Sequence, residues 1–304
     1  MKNIVSVKQF LNKPLLEKLF ARTTQLIEMP LASYPKPLSN LTVASVFFEP
    51  STRTRLSFET AIQNLGGHLI TVENATEFSS TKKGETLEDT IMTLNAYADC
   101  IVMRHPEVGA AKRAADVSRV PIINAGDGAG DHPTQALLDL YTIRRALGDV
   151  DGLKIGMVGD LLNGRTVHSL TQLLAIYKVE VYMIAPPSLQ MPQKYLNLLK
   201  KNGCKVSLHD NWNSVIGKVD VLYMTRVQKE RFKFIEDYQA VKDSFILEPK
   251  DVMKMKKEAI ILHPLPRVNE INPAVDHDPR ARYFMQVKNG LYVRMALLEM
   301  LFSA

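Results

Sequence analysis

Nine short apolar runs alternate with helical patterns along this 304-residue chain, and that alternation constrains the fold more than any other feature. The runs are Thr42–Phe48, His68–Val72, Cys100–Met103, Pro121–Asn124, Lys154–Val158, Glu180–Ile184, Lys205–Leu208, Val219–Met224 and Ala259–Leu262. Short, apolar and largely β-branched, they read as buried strands. Strands separated by helices predict parallel sheets covered on both faces, the α/β class. Nine strands are many for one sheet, and Gly148-Asp149-Val150-Asp151-Gly152 breaks the pattern. The expectation is two doubly wound parallel-sheet domains of similar size. A helix over 132–147 joins them, and a last helix, Leu291–Phe302, returns to the first domain. The expected boundaries are 1–131 with 288–304, and 132–287.

Composition narrows the function classes. Hydrophobic residues make up 46% and charged residues 23%, as in ordinary globular proteins, and no apolar run is long enough to span a membrane. The N-terminus, Met1-Lys2-Asn3-Ile4-Val5, lacks the apolar core of a secretory signal, so a cytoplasmic protein is expected. The net charge is +6, but the basic residues are dispersed and not interleaved with aromatics. That argues against nucleic acid and fits an anionic small substrate. Cys100 and Cys204 lie far apart in apolar segments, so neither a disulfide nor a zinc site is expected, and both read as buried thiols.

The densest run of donors is Ser51-Thr52-Arg53-Thr54-Arg55, after Phe48-Glu49-Pro50. It follows a strand and precedes a helical pattern of Leu56, Phe58, Ile62 and Leu65, closed by Gly66-Gly67. On such a turn, backbone N–H groups, the helix dipole, hydroxyls and guanidinium groups converge on one anion. Simple capping by Ser51 or Thr52 is the plainer reading, yet it leaves most of the donors unexplained. Arg104-His105-Pro106 follows another strand of the same half. His132-Pro133-Thr134-Gln135 follows the Gly-rich stretch 126–130 and opens a helix, where a helix N-terminus favours a neutral imidazole donor. Its plainer reading is an ordinary helix start. Three donor sets at the carboxyl ends of three strands fit the rule that open α/β sheets bind ligands there.

Together with His263-Pro264-Leu265-Pro266, these pieces resemble the aspartate/ornithine carbamoyltransferase family on its aspartate branch, over essentially the whole chain. The resemblance implies transfer of a carbamoyl group from carbamoyl phosphate to the α-amine of aspartate, a step of pyrimidine biosynthesis, without a covalent intermediate or a cofactor. It implies that Ser51, Thr52, Arg53, Thr54, Ser79 and Arg104 hold the phosphate. Thr54, Arg104 and His132 then donate to the carbonyl oxygen, and Gln135 with the backbone of Leu265 and Pro266 contacts the amide end. Arg53, Thr54, Lys83, Arg104 and His132 are the implied catalytic residues, and Lys83, Arg165, Arg226 and Gln228 the aspartate-binding ones.

Arg165 follows Gly159-Asp160 and Gly164, a turn without Gly-x-Gly-x-x-Gly spacing and therefore no dinucleotide fingerprint. Arg226 follows another strand. Each arginine alone could be a surface ion pair, but two suit a dicarboxylate, and Arg226 would repel the cationic end of ornithine. Ornithine relatives typically carry His-Cys-Leu-Pro where this chain has His263-Pro264-Leu265-Pro266. Residues 73–83 form a long polar loop, and in the family Ser79 and Lys83 reach the neighbouring chain's site, implying a homotrimer. Glu49, an acid among donors, is expected to pair with Arg165 and Arg231 once substrates are bound. The stretch 228–242 resembles the mobile loop of members that carry a separate zinc-containing regulatory chain, in an allosteric complex. The alternatives are an ornithine-type enzyme and an inactive binding subunit.

Overall fold

The computed structural model describes residues 1–78 and 83–302. Its strands are β1 (Thr42–Phe47), β2 (His68–Glu73), β3 (Cys100–His105), β4 (Ile122–Asp127), β5 (Lys154–Val158), β6 (Glu180–Ile184), β7 (Lys205–His209), β8 (Val221–Met224) and β9 (Ile260–Leu262). The α-helices are α1 (Lys13–Glu28), α2 (Thr52–Asn64), α3 (Ala75–Phe78), α4 (Leu87–Leu94), α5 (Ala110–Val117), α6 (Pro133–Leu147), α7 (Arg165–Leu174), α8 (Gln193–Lys201), α9 (Ile235–Val241), α10 (Pro249–Val252) and α11 (Tyr283–Phe302). All nine expected strands are present, shifted by a few residues at their ends.

The strands form two parallel sheets, ordered β2-β1-β3-β4 and β7-β6-β5-β8-β9. Central strands such as β1 and β5 are buried along almost their whole length, which is why they read as continuous apolar runs. β2 and β7 are edge strands with exposed residues on both faces. The chain divides into two compact units, Met1–Leu137 with Lys288–Ala304, and Leu138–Val287. One core cluster of the first unit gathers Val46, Phe48, Ile91, Ile101 and Met103. That of the second gathers Ile184, Trp212, Leu222, Phe245 and Ile261.

Two of the boundary differences from the sequence reading have a clear physical cause. β4 runs to Asp127 rather than Asn124, because a register shift between Met103 and His105 lets His105 pair with Asp127. Gly126 thus lies in a strand and not in a turn. α11 begins at Tyr283, eight residues before the expected start. Asn289-Gly290 reads as a break, and the buried stripe of this first half, Tyr283, Gln286 and Asn289, contains two polar residues. Packing overrides the weak signal. The later part of α11 is fastened within the first unit. Arg22 forms a two-pronged pair with Glu299, at 2.6 and 2.8 Å, and the Arg294 guanidinium lies 5.1 Å from the Phe58 ring centre.

Candidate active site

In the first unit the chain passes from β1 to β2 on one side and then to β3 on the other. The carboxyl ends of β1 and β3 therefore flank a topological switch point, where open α/β sheets bind ligands. Ser51 is the residue before α2, and its side chain makes no capping bond. The capping reading thus does not account for it, and the start of α2 carries the helix dipole's positive end. Thr54 is buried, Ser51 is half-buried, and Thr52 and Arg53 are exposed. Arg55 is turned away, bonded to Glu59 at 3.3 Å and to Glu73 at 2.9 Å.

The neighbouring turns are tied to this one. Phe48 N–H donates to the Arg104 carbonyl at 2.8 Å, and the Phe48 and His105 rings meet at 4.7 Å. Glu49 accepts from Arg104 at 2.7 Å, inside its own unit. Gly128 N–H donates to the His105 carbonyl at 2.8 Å. Gly128 has φ +50°, and a Cβ there would lie 2.3 Å from the Pro106 carbonyl oxygen, so only glycine fits. Asp127 accepts from the N–H groups of Gly109 and Asp131 at 3.0 and 2.7 Å. Burial pushes its carboxyl up, against the pull of those bonds. His132 is buried directly before α6, and its carbonyl accepts from Gln135 and Ala136 at 3.1 Å. Gln135 is buried on the first turn. Lys83 is exposed on a short turn before α4. Ser79 lies outside the described residues.

In the second unit the switch point lies between β5 and β8. Their carboxyl ends carry Arg165 and Arg226, both half-buried. The two turns nearly touch. Gly159 has φ +112°, and a Cβ there would lie 2.2 Å from the Thr225 carbonyl oxygen. Asp160, fully buried, accepts from Asn163 N–H at 2.9 Å and also from the backbone of Leu162 and Gln228. It thereby binds the Arg165 turn to the Arg226–Gln228 turn. Burial pushes its carboxyl up, opposed by these bonds. Gln228 Oε1 accepts weakly from Arg231 Nε at 3.4 Å.

β9 ends at a third turn. His263 is buried, accepts Leu265 N–H on Nδ1 at 2.8 Å, and meets Glu270 through Nε2 at 2.8 Å. An imidazole that accepts on Nδ1 carries its proton on Nε2 and donates it to the carboxylate. Glu270 also accepts from Val268 and Asn269 N–H at 3.0 and 3.1 Å. Burial would push its carboxyl up, but the bonds from His263 and the backbone outweigh burial and hold it below the usual range. Leu265 has φ +52°, an uncommon conformation for a branched residue, and precedes Pro266 through a cis peptide. Asp160 and Glu270 escape a sequence reading as supports, because isolated acids carry no pattern until the strands align them.

Cys100 and Cys204 are free and buried, and burial pushes the Cys100 thiol up to about 12. Among the described residues, no group of three or more His, Cys, Asp or Glu could hold a metal ion, and no helix is long and apolar enough to cross a membrane.

The family model "Aspartate/ornithine carbamoyltransferase, carbamoyl-P binding domain" matches residues 2–145, and its Asp/Orn binding domain matches 151–301. The chain is 52% identical over 272 residues to a rice protein named aspartate carbamoyltransferase, chloroplastic, covering 89% of this chain and 75% of that one. It is 51% identical over its whole length to the Dictyostelium discoideum multifunctional protein pyr1-3, of which it spans 14%. Among solved structures, Trypanosoma cruzi aspartate transcarbamoylase in complex with carbamoyl phosphate superimposes with TM-score 0.92 at 41% identity, over 98% and 94% of the two chains. The catalytic subunit of M. Jannaschii aspartate transcarbamoylase gives 0.90 at 46%, over 100% and 98%. The expected cytoplasmic location is corrected by these relatives. The rice, Arabidopsis thaliana and pea proteins are named as chloroplastic, so the cytoplasmic expectation does not stand. With both family models matched and relatives at about half identity, the chain belongs to the aspartate/ornithine carbamoyltransferase family.

Proposed function

We propose that this chain transfers the carbamoyl group of carbamoyl phosphate to the α-amine of L-aspartate, giving N-carbamoyl-L-aspartate and phosphate in pyrimidine synthesis. The observation that carries this reading is the placement of two donor sets, each at the switch point of its own sheet. Residues 1–131 with 288–304 form the carbamoyl phosphate-binding domain, and 132–287 the aspartate-binding domain, which also supplies His132, Gln135 and the Leu265–Pro266 backbone to carbamoyl phosphate. The N-terminus of α2, with Ser51, Thr52, Arg53 and Thr54, takes the phosphate together with Arg104 and Ser79. Thr54, Arg104 and His132 donate to the carbonyl oxygen, and Gln135 and the Leu265–Pro266 backbone fix the amide end. Arg165 and Arg226, assisted by Gln228 and Lys83, hold the two carboxylates.

The amine nitrogen attacks the carbonyl carbon, a C–N bond forms, and negative charge moves to the carbonyl oxygen. The C–O bond to phosphate then breaks, and the departing phosphate takes the amine proton. Catalysis rests on holding two reactants in line and stabilising the oxyanion. Ser79 and Lys83 act in the site of an adjacent copy, which makes the working form a homotrimer. The 228–242 segment supports a further association with a zinc-containing regulatory chain.

Incubation with carbamoyl phosphate and either aspartate or ornithine tests the reading. Carbamoylated product with aspartate alone is expected. Product with ornithine alone overturns the second-substrate assignment, and no product with either points to a binding subunit. Lys83→Ala chains are expected to assemble like the parent while losing about 10²-fold in rate, from a lost charged contact that positions aspartate. Near-parent activity in those chains would remove Lys83 from the site.

A further inference from the structure

We propose that Asp139 is the hub of a buried positioning device that holds the Arg165 turn, the Arg226 turn and the Leu265–Pro266 turn in one fixed arrangement. The inference rests on reading those three turns as substrate-binding. Asp139 lies on α6 and is fully buried. Its two carboxylate oxygens serve different elements. Oδ2 accepts from the Tyr223 hydroxyl at 2.6 Å, and Oδ1 accepts from Gln286 Nε2 at 2.6 Å. Tyr223 stands on β8, three residues before Arg226, and its hydroxyl is also bonded to Thr166, the residue after Arg165. Gln286 stands on α11, and its Oε1 accepts His263 N–H at 3.0 Å. His263 in turn holds Leu265 N–H on Nδ1 and Glu270 on Nε2.

Asp139, Tyr223, Gln286 and His263 are each no more than 1% exposed. A buried carboxylate is costly unless fully satisfied, and apolar side chains of similar volume would fill such a core at least as stably. What apolar side chains cannot supply is direction. Each joint of this network fixes one segment at a set distance and angle from a common atom pair. The three segments so fixed carry the second-substrate arginines and the turn beside the carbamoyl amide. Burial, and then Asp139, push the Tyr223 phenol far up, so it remains a neutral donor at every working pH. Asp139, Tyr223 and Gln286 touch no substrate in this scheme and are positioning residues.

Two substitutions test the device in the 304-residue chain. Tyr223→Phe removes only the hydroxyl, and Gln286→Met removes both polar groups at nearly constant volume. Each is expected to raise the KM for aspartate about 5–10-fold, as for a lost buried hydrogen bond, and to leave the Kd for inorganic phosphate within about twofold. The double variant is expected to be no worse than about twice the weaker single variant, because breaking either joint already frees the same device. Effects that multiply, or single variants within about twofold of the parent in aspartate KM, overturn the proposal. Asp139→Asn supplies an independent readout should Gln286→Met fail to fold. Its carbonyl oxygen accepts from Gln286 while its amide donates to Tyr223, whose hydrogen turns to Thr166, so the connections survive without the charge. Aspartate KM within about threefold of the parent is expected. A rise of tenfold or more overturns the proposal, because charge and not connection would then be what matters. All these readouts are ratios to a parent that turns over aspartate. A parent that does not do so refutes the functional reading itself.

Discussion

The two switch points are built differently. In the first unit the donors are largely generic: helix N–H groups, hydroxyls, and one arginine steadied by Glu49. The turns there are joined mainly through backbone, as in Phe48 to Arg104 and Gly128 to His105. In the second unit the arginine turns depend on buried acids, Asp160 and Asp139, and the His263 turn depends on Glu270. Under the proposed assignment of phosphate to the first set and aspartate to the second, the chemistry of the ligands explains the contrast. A phosphate has acceptor oxygens on every side and tolerates a loose crowd of donors. A dicarboxylate is told from its analogues by the separation of two guanidinium groups, and that needs a rigid frame.

The sharpest way to break this comparison is Arg104→Ala. It removes the half-buried guanidinium that pairs with Glu49. A loss of about 10³ in kcat/KM is expected, the scale of a missing oxyanion donor. Steady-state kinetics would show it, and a loss of under tenfold would mean that the α2 N-terminus alone carries the anion.

Asp160→Ala tests the opposite side of the contrast. The donors of Asn163, Leu162 and Gln228 would lose their buried acceptor, and the two arginine turns would lose their tie. The expected outcome is an aspartate KM raised about 10–100-fold, with phosphate binding by calorimetry within about twofold of the parent. An equal loss in both would show that the frame of the second unit also shapes the phosphate side.

The legible parts of this chain follow the same division. Strands buried on both faces announce themselves as apolar runs, so the two-sheet design and the donor turns at the strand ends could be read directly. Thr54, Arg104 and His132 were legible because they cluster beside strand ends. The frame was not. Asp139, Asp160, Glu270 and Gln286 each stand alone in sequence, and only the folding of α6, β8, β9 and α11 gives them partners. The start of α11 was hidden for a related reason: its buried stripe spends two positions on Gln286 and Asn289, which weakens the helical pattern at the place where the polar frame enters the core.

Glu270→Gln has the smallest expected effect and the most specific signature. The folded-state pKa of Glu270 lies below its ordinary value of 4.5. Its ionised form therefore contributes stability that is fully present above the unfolded value and is lost as pH falls through the folded one. Glutamine keeps an oxygen for His263 but turns an N–H₂ toward the N–H groups of Val268 and Asn269. A loss of about 1–3 kcal/mol at pH 7 is expected from denaturant unfolding, together with a severalfold lower kcat from a loosened Leu265 turn. The gap between parent and variant should close as pH falls below 4.5 and through the lowered folded-state value, where the parent's carboxyl becomes protonated and resembles the amide. Asp127 and Asp160, which burial pushes the other way, are common to both proteins and cancel in the difference. A gap that stayed constant with acid would mean that the shape of Glu270, and not its charge, holds the turn.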